Sequence, residues 1–233
     1  MTVTLITGAN KGLGLEAARQ LLLAGHTVYL GARDPAKGSE AADRLGAGAR
    51  VLPLDVTDDE SVAAAASELA ATVGHLDVLV NNAGISGDWL QVADTSAGDV
   101  ARVFDTNLFG VVRVTQAMVP LLQRSDAPVI VNVSSGLGSI GMAADPEREW
   151  SGLVSIPYTT SKSALNMLTV QYAKAYPEIR VNVVDPGYTA TDLNYNTGTQ
   201  TVEEGAAVIV RMACVGPDGP TATYVGNEGP LPW

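Results

Sequence analysis

A chain of 233 residues with 46% hydrophobic and 17% charged residues is long enough to bury a substantial core as a single domain. A net charge of -11 excludes a broad basic face for nucleic acid or anionic membrane, and one cysteine, Cys214, excludes an intrachain disulfide. The first strand-like residues follow Met1 and Thr2 directly, without a signal-like stretch, and no apolar run reaches membrane-spanning length, so a soluble cytoplasmic protein is expected.

Short apolar runs rich in Val recur at 3–7, 27–32, 51–54, 78–81, 129–133, 181–184 and 223–225, and read as buried parallel strands. Helical patterns alternate with them at 13–24, 35–45, 59–73, 97–122, 158–176 and 202–213. Strict alternation implies right-handed βαβ units. The expected fold class is therefore α/β, with a doubly wound, seven-stranded parallel sheet covered by helices on both faces, and residues 1–233 forming one domain. Such sheets bind ligands beyond the carboxyl ends of their strands, and the informative motifs of this chain follow strand ends.

The first is Thr7-Gly8-Ala9-Asn10-Lys11-Gly12-Leu13-Gly14. Glycines permit a tight turn and close backbone approach to a pyrophosphate, whose charge the following helix N-terminus favours. After the second strand, where an acidic residue would bind the ribose 2′-hydroxyl of NAD, stands Gly31-Ala32-Arg33. Arg33, with Lys11 as a second cation, suits a 2′-phosphate, so NADP(H) is preferred over NAD(H). Asp55 and Val56 follow the third strand, Asp55 as a candidate adenine contact. Asn81-Asn82-Ala83-Gly84 follows the fourth strand, and the pair Ser134-Ser135 follows the fifth.

Tyr158 and Lys162 are four apart on one helix face, where an ammonium can hold a phenolate and make a proton donor usable near neutral pH. Cys214 lies in a small-residue apolar stretch and reads as a buried structural thiol. His26 and His75 fall in connections away from the motif-bearing edge, and without clustered ligands no catalytic metal is expected.

Over nearly its whole length the chain resembles the short-chain dehydrogenases/reductases, which implies a Rossmann-type fold. The resemblance rests on the turn at 7–14, Asn81 to Gly84, the Tyr158/Lys162 pair and Pro186-Gly187-Tyr188-Thr189-Ala190-Thr191. It implies hydride transfer between a nicotinamide and a carbonyl or alcohol carbon, and a catalytic tetrad of Asn107, Ser135, Tyr158 and Lys162. The implied cofactor contacts are Gly8, Asn10, Lys11, Gly12, Leu13, Gly14, Arg33, Asp55, Val56, Asn82, Ala83, Gly84, Tyr158, Lys162, Pro186, Gly187, Thr189 and Thr191. Tyr158 would give the proton, Lys162 would stabilise the phenolate and bind ribose hydroxyls, and Ser135 would orient the substrate oxygen. Asn107 is expected inside the 97–122 helix, holding a relay water, and Ser134 is expected to bond backbone in its turn.

The interval between Ser135 and Tyr158 is longer than the family usually shows, and an insertion at about 140–156 containing Asp145-Pro146-Glu147-Arg148-Glu149-Trp150 is similar to that of the carbonyl-reductase-like branch. Trp150 either walls the substrate pocket or pins the insertion to the surface. Residues 190–202 read as a mobile substrate lid. The resulting expectation is an NADPH-dependent reductase of ketones and aldehydes. A non-catalytic dinucleotide sensor and a sugar-nucleotide epimerase or dehydratase are the alternatives. The resemblance also implies a homodimer or tetramer, although the insertion could favour a monomer.

Overall fold

The computed structural model describes every residue of 1–233 except Glu149, so that residue of the expected insertion lies outside the described residues. Seven strands run parallel in the order β3-β2-β1-β4-β5-β6-β7: β1 Val3–Thr7, β2 Thr27–Ala32, β3 Ala49–Pro53, β4 Val78–Asn81, β5 Val129–Val133, β6 Arg180–Val184 and β7 Tyr224–Gly226. An eighth, β8 Gly229–Pro230, pairs antiparallel to β7 and corrects the seven-stranded expectation. Two residues joined to β7 by a tight turn leave no apolar run for sequence reading to find. The helices are α1 Gly12–Leu23, α2 Pro35–Leu45, α3 Asp59–Thr72, α4 Ala97–Phe104, α5 Gly110–Leu122, α6 Ile140–Ala143, α7 Ile156–Ala175 and α8 Val202–Ala213.

Alternate residues of each central strand enter different cores. Leu5, Leu79, Ile130 and Val181 pack with Leu69 of α3, Met118 of α5 and Ala173 of α7. Ile6, Val80, Val131 and Val184 pack with Leu21 of α1, Ala41 of α2 and Ile209 of α8. Burial on both faces is why these strands read as continuous apolar runs. Each fully buried Leu or Ile contributes on the order of 2 kcal/mol by removal from water.

The long helix expected at 97–122 is not continuous: a π-turn, Asp105–Phe109, separates α4 from α5. Sequence periodicity does not register one extra residue per turn. Cys214 is exposed at the end of α8, beyond Ile209, Met212 and Ala213, which face the sheet. Its sulfur lies 3.8 Å from His26 Nε2, and partial burial raises its thiol above the ordinary range. The expected buried thiol is thus a sheltered one on the surface. No helix of the described residues is long and apolar enough to cross a membrane.

Candidate active site

All the expected cofactor residues, together with Ser135, Tyr158 and Lys162, line one cavity of about 1360 Å³ along the carboxyl edge of the sheet. Asn107 is not part of its lining and acts from behind it.

At one end, the glycine turn is closed against the loop after β4. Thr7 Oγ1 accepts from the Asn82 and Ala83 N–H groups at 3.0 Å each, and Asn82 Nδ2 donates to Thr7 O at 2.9 Å and Gly8 O at 3.2 Å. Gly8 has φ +64°, and a Cβ on Gly14 would sit 2.5 Å from Asn82 Nδ2, so neither position accepts a side chain without moving this joint. Side chains cap α2 (Asp34), α3 (Asp58), α4 (Ser96) and α8 (Thr201), whereas Lys11 gives α1 no side-chain cap and its first turn has no acidic residue. The amide donors at the start of α1 are thereby left for an anion, which fits a dinucleotide pyrophosphate.

Arg33 is exposed on the cavity rim, and Asp34 beside it caps α2 and approaches Lys37. Arg44 joins the same rim, a contribution the sequence reading missed because it lies at the far end of α2. Lys11 is not a free second cation: its ammonium pairs with Asp192 at 2.7 Å. Asp55 uses Oδ1 to accept from the Thr57 N–H and hydroxyl at 2.9 and 2.7 Å, which shapes the turn beside Val56.

At the other end, α7 presents Tyr158 and Lys162. Lys162 Nζ lies 5.7 Å from the Tyr158 ring centroid and donates to the Val133 carbonyl at 2.9 Å rather than to the phenol oxygen. Burial pushes Tyr158 up to about 12, reinforced by the charge of Asp185 and opposed by the Ser135 hydroxyl, while burial pushes Lys162 down to about 8. The expected lowering of the phenol by the ammonium is therefore not found. Desolvation penalises both charged forms more than this spacing repays.

Ser135 Oγ accepts from Leu137 N at 3.3 Å and lies beside the phenol. Ser134, which also lines the cavity, is instead engaged by α7, donating to Asn166 Oδ1 at 2.6 Å and to Lys162 O at 3.4 Å. The two serines differ in partners as β5 ends, and the backbone bond expected of Ser134 is made to Lys162 O of α7 rather than within its own turn. Asn107, in the π-turn, is fully buried: its Oδ1 accepts from Ile85 N at 2.9 Å, and its Nδ2 donates to Ile85 O at 2.9 Å and Ser161 Oγ at 3.0 Å. It thereby fixes the loop after β4 against α7. Gly84 lies between, since a Cβ there would meet Asn107 Oδ1 at 3.4 Å and Lys162 Nζ at 3.6 Å.

The insertion forms a wall. Trp150 packs on Tyr188 with ring centroids 5.3 Å apart, and both line the cavity with Met142 and Leu153. The segment expected as an unpacked lid carries a 3₁₀ turn, Asp192–Asn194, and an isolated bridge between Thr189 and Gln200. Thr189 Oγ1 accepts from Gln200 Nε2 at 2.8 Å, and Thr191 N donates to Asn194 Oδ1 at 3.1 Å. Polar composition here encodes a self-bonded loop. Trp89, Tyr188 and Asp185 are lining residues to which the sequence reading gave no role. Tyr188 and Asp185 flank Pro186-Gly187, which was the available signal.

A glycine turn opening onto an uncapped helix, with a buried Tyr/Lys pair and a serine at the far end of the same cavity, defines a dinucleotide-dependent oxidoreductase site. The family model described as short chain dehydrogenase matches residues 2–202. The chain is 33% identical to a (+)-neomenthol dehydrogenase of Arabidopsis thaliana, covering 89% of this chain and 90% of that one. Among solved structures, it is similar to salutaridine reductase from Papaver somniferum (TM-score 0.85, 30% identity, 96% and 99% coverage). It is also similar to an NADPH-bound carbonyl reductase from chicken fatty liver (TM-score 0.88, 27% identity, 100% of both chains). The protein belongs to the short-chain dehydrogenase/reductase family and is an oxidoreductase acting on carbonyl or CH–OH groups.

Proposed function

We propose that this protein is a carbonyl reductase that uses NADPH to convert apolar ketones or aldehydes to alcohols, with Tyr158 as the proton donor. The observation that carries this reading is the meeting of Ser135, Tyr158 and Lys162 in the cavity that begins at the glycine turn. The relatives named as a neomenthol dehydrogenase, a salutaridine reductase and an NADPH-bound carbonyl reductase support it. Arg33 and Arg44 on the rim supply cations suited to a 2′-phosphate.

When bound, NADPH supplies the hydride that adds to the carbonyl carbon. Every other requirement falls on the chain. Reduction places negative charge on the carbonyl oxygen, which must gain a proton. Tyr158, held firmly protonated by burial, gives that proton and becomes tyrosinate. Ser135 orients the oxygen with its hydroxyl. Lys162 holds a positive charge below the phenol, and its remaining ammonium protons are available to ribose hydroxyls. Asn107 locks the loop after β4 so that Gly84 stays open beside this lysine. Trp150, Tyr188, Met142 and Leu153 favour an apolar substrate body.

Loss of nicotinamide absorbance with a panel of ketones and aldehydes, run with NADPH and NADH, tests the reading. Turnover preferring NADPH is expected, and Tyr158→Phe should lose at least about 100-fold in kcat while cofactor binding persists. A Phe variant of near-normal rate would remove Tyr158 from the mechanism, and cofactor binding without turnover on any carbonyl would favour a sensor.

A further inference from the structure

Asp185 stands between β6 and Pro186, and its carboxylate is held from two loops. Oδ1 accepts from Gly187 N at 2.9 Å, and Oδ2 lies against Gly136 in the turn after β5. The approach to Gly136 is possible only because that residue lacks a side chain, since a Cβ there would lie 2.9 Å from Asp185 Oδ2. Gly136 directly follows Ser135, whose carbonyl accepts from the Tyr224 hydroxyl at 2.6 Å. Just below, Ser134 N donates to Val184 O at 2.8 Å. One carboxylate therefore ties the turn that carries Ser135 to the loop that carries Gly187 and Thr189.

We propose that Asp185 is a positioning residue for the reaction, clamping these two loops together and placing a negative charge beside the Tyr158 phenol. The inference rests on the reading of Tyr158 as proton donor. The titratable and charged groups near this end of the cavity are Tyr158 and Lys162 of α7, Tyr188 and Tyr195 of the loop after β6 and Arg148 of the insertion, with Tyr224 of β7 behind the lining and Asp192 turned to Lys11. Among them Asp185 is the anion that acts on the phenol: its charge raises both Tyr158 and Tyr224, in addition to their burial. Burial raises Asp185 itself, and the two glycine N–H groups oppose that by favouring its charged form. A carboxylate beside the phenol disfavours tyrosinate, so the proton-giving form of Tyr158 persists to higher pH and the tyrosinate that alcohol oxidation needs forms only at higher pH.

The test is the pH dependence of kcat in both directions for the wild type and Asp185→Asn, with tyrosinate absorbance followed directly against Tyr158→Phe. Asn has the shape of Asp but no charge and only one acceptor oxygen. The apparent pKa assigned to Tyr158 should fall by about one pH unit in both the pH profile and the tyrosinate titration, with cofactor affinity nearly unchanged. A pH profile and tyrosinate titration that match the wild type would overturn the proposal, whatever happens to kcat. If the Asn variant does not fold, Gly136→Ala carries the same test, because its methyl group must push the carboxylate out of the clamp. The same acid-ward shift is expected, and its absence counts against Asp185. An active Tyr158→Phe enzyme would instead remove the underlying reading. An inactive one beside an unshifted Asp185→Asn would remove only this inference.

Discussion

Replacing Lys162 by methionine should strengthen the cofactor-free fold while removing activity. Lys162 is 4% exposed, and burial pushes its ammonium from 10.5 down to about 8. Between those values the unfolded chain binds a proton that the native chain does not, so native stability from this group rises with pH across that window. Below about pH 8 the native lysine is charged and carries the full penalty of about 3 kcal/mol, each pH unit between the two values being worth ~1.4 kcal/mol. Two interactions that methionine cannot make offset this: the bond to Val133 O at 2.9 Å and the ammonium over the Tyr158 ring at 5.7 Å, together about 1–2 kcal/mol. Methionine fills a similar apolar volume, so a net gain of about 1–2 kcal/mol is expected at pH 7, vanishing or reversing near pH 10.5. Urea unfolding of both proteins at the two pH values measures it. A variant less stable than wild type at pH 7, or a gap of the same size at both pH values, would refute the assignment of desolvation as the dominant effect on Lys162.

The serine pair divides by function: Ser135→Ala should lower kcat by about 100-fold with little change in stability, and Ser134→Ala should cost about 1 kcal/mol through loss of its Asn166 bond while retaining most activity. Arg33→Asp should reduce the NADPH preference by about 10-fold or more, read as the ratio of kcat/KM for the two cofactors. Gly110→Ala should destabilise by about 1–3 kcal/mol in a melt, because its Cβ meets Val56 Cγ2 at 2.9 Å and Val56 O at 3.1 Å. Trp150→Ala should raise KM for bulky apolar ketones more than for small aldehydes, and equal effects on both would place the tryptophan outside the substrate wall.

Much of this site was readable from local sequence. The glycines at Gly8 and Gly12 announce positive φ, observed at +64° and +56°, because a turn of that hand disfavours any side chain. Tyr158 and Lys162 share a helix face as their spacing requires. Asn107 was the harder case. Its place behind the cavity depends on a π-turn, and its side chain is held there by Ile85 and Ser161, residues distant in sequence. The partner of Lys11 was similarly out of reach, since Asp192 lies far along the chain and arrives only when the loop after β6 folds over the glycine turn.

The sequence alone determined the alternation of strand and helix, the parallel sheet and the chemical groups at its carboxyl edge, because hydrophobic period and turn chemistry act over a few residues. Tertiary structure decided which groups meet and in what electrical state. Burial sets Tyr158 and Lys162 against their expected shifts, Asp185 gains its place only by reaching Gly136 across neighbouring strands, and Trp150 becomes a wall only against Tyr188. Desolvation and long-range contact belong to the whole packed chain, and no short window of residues carries them.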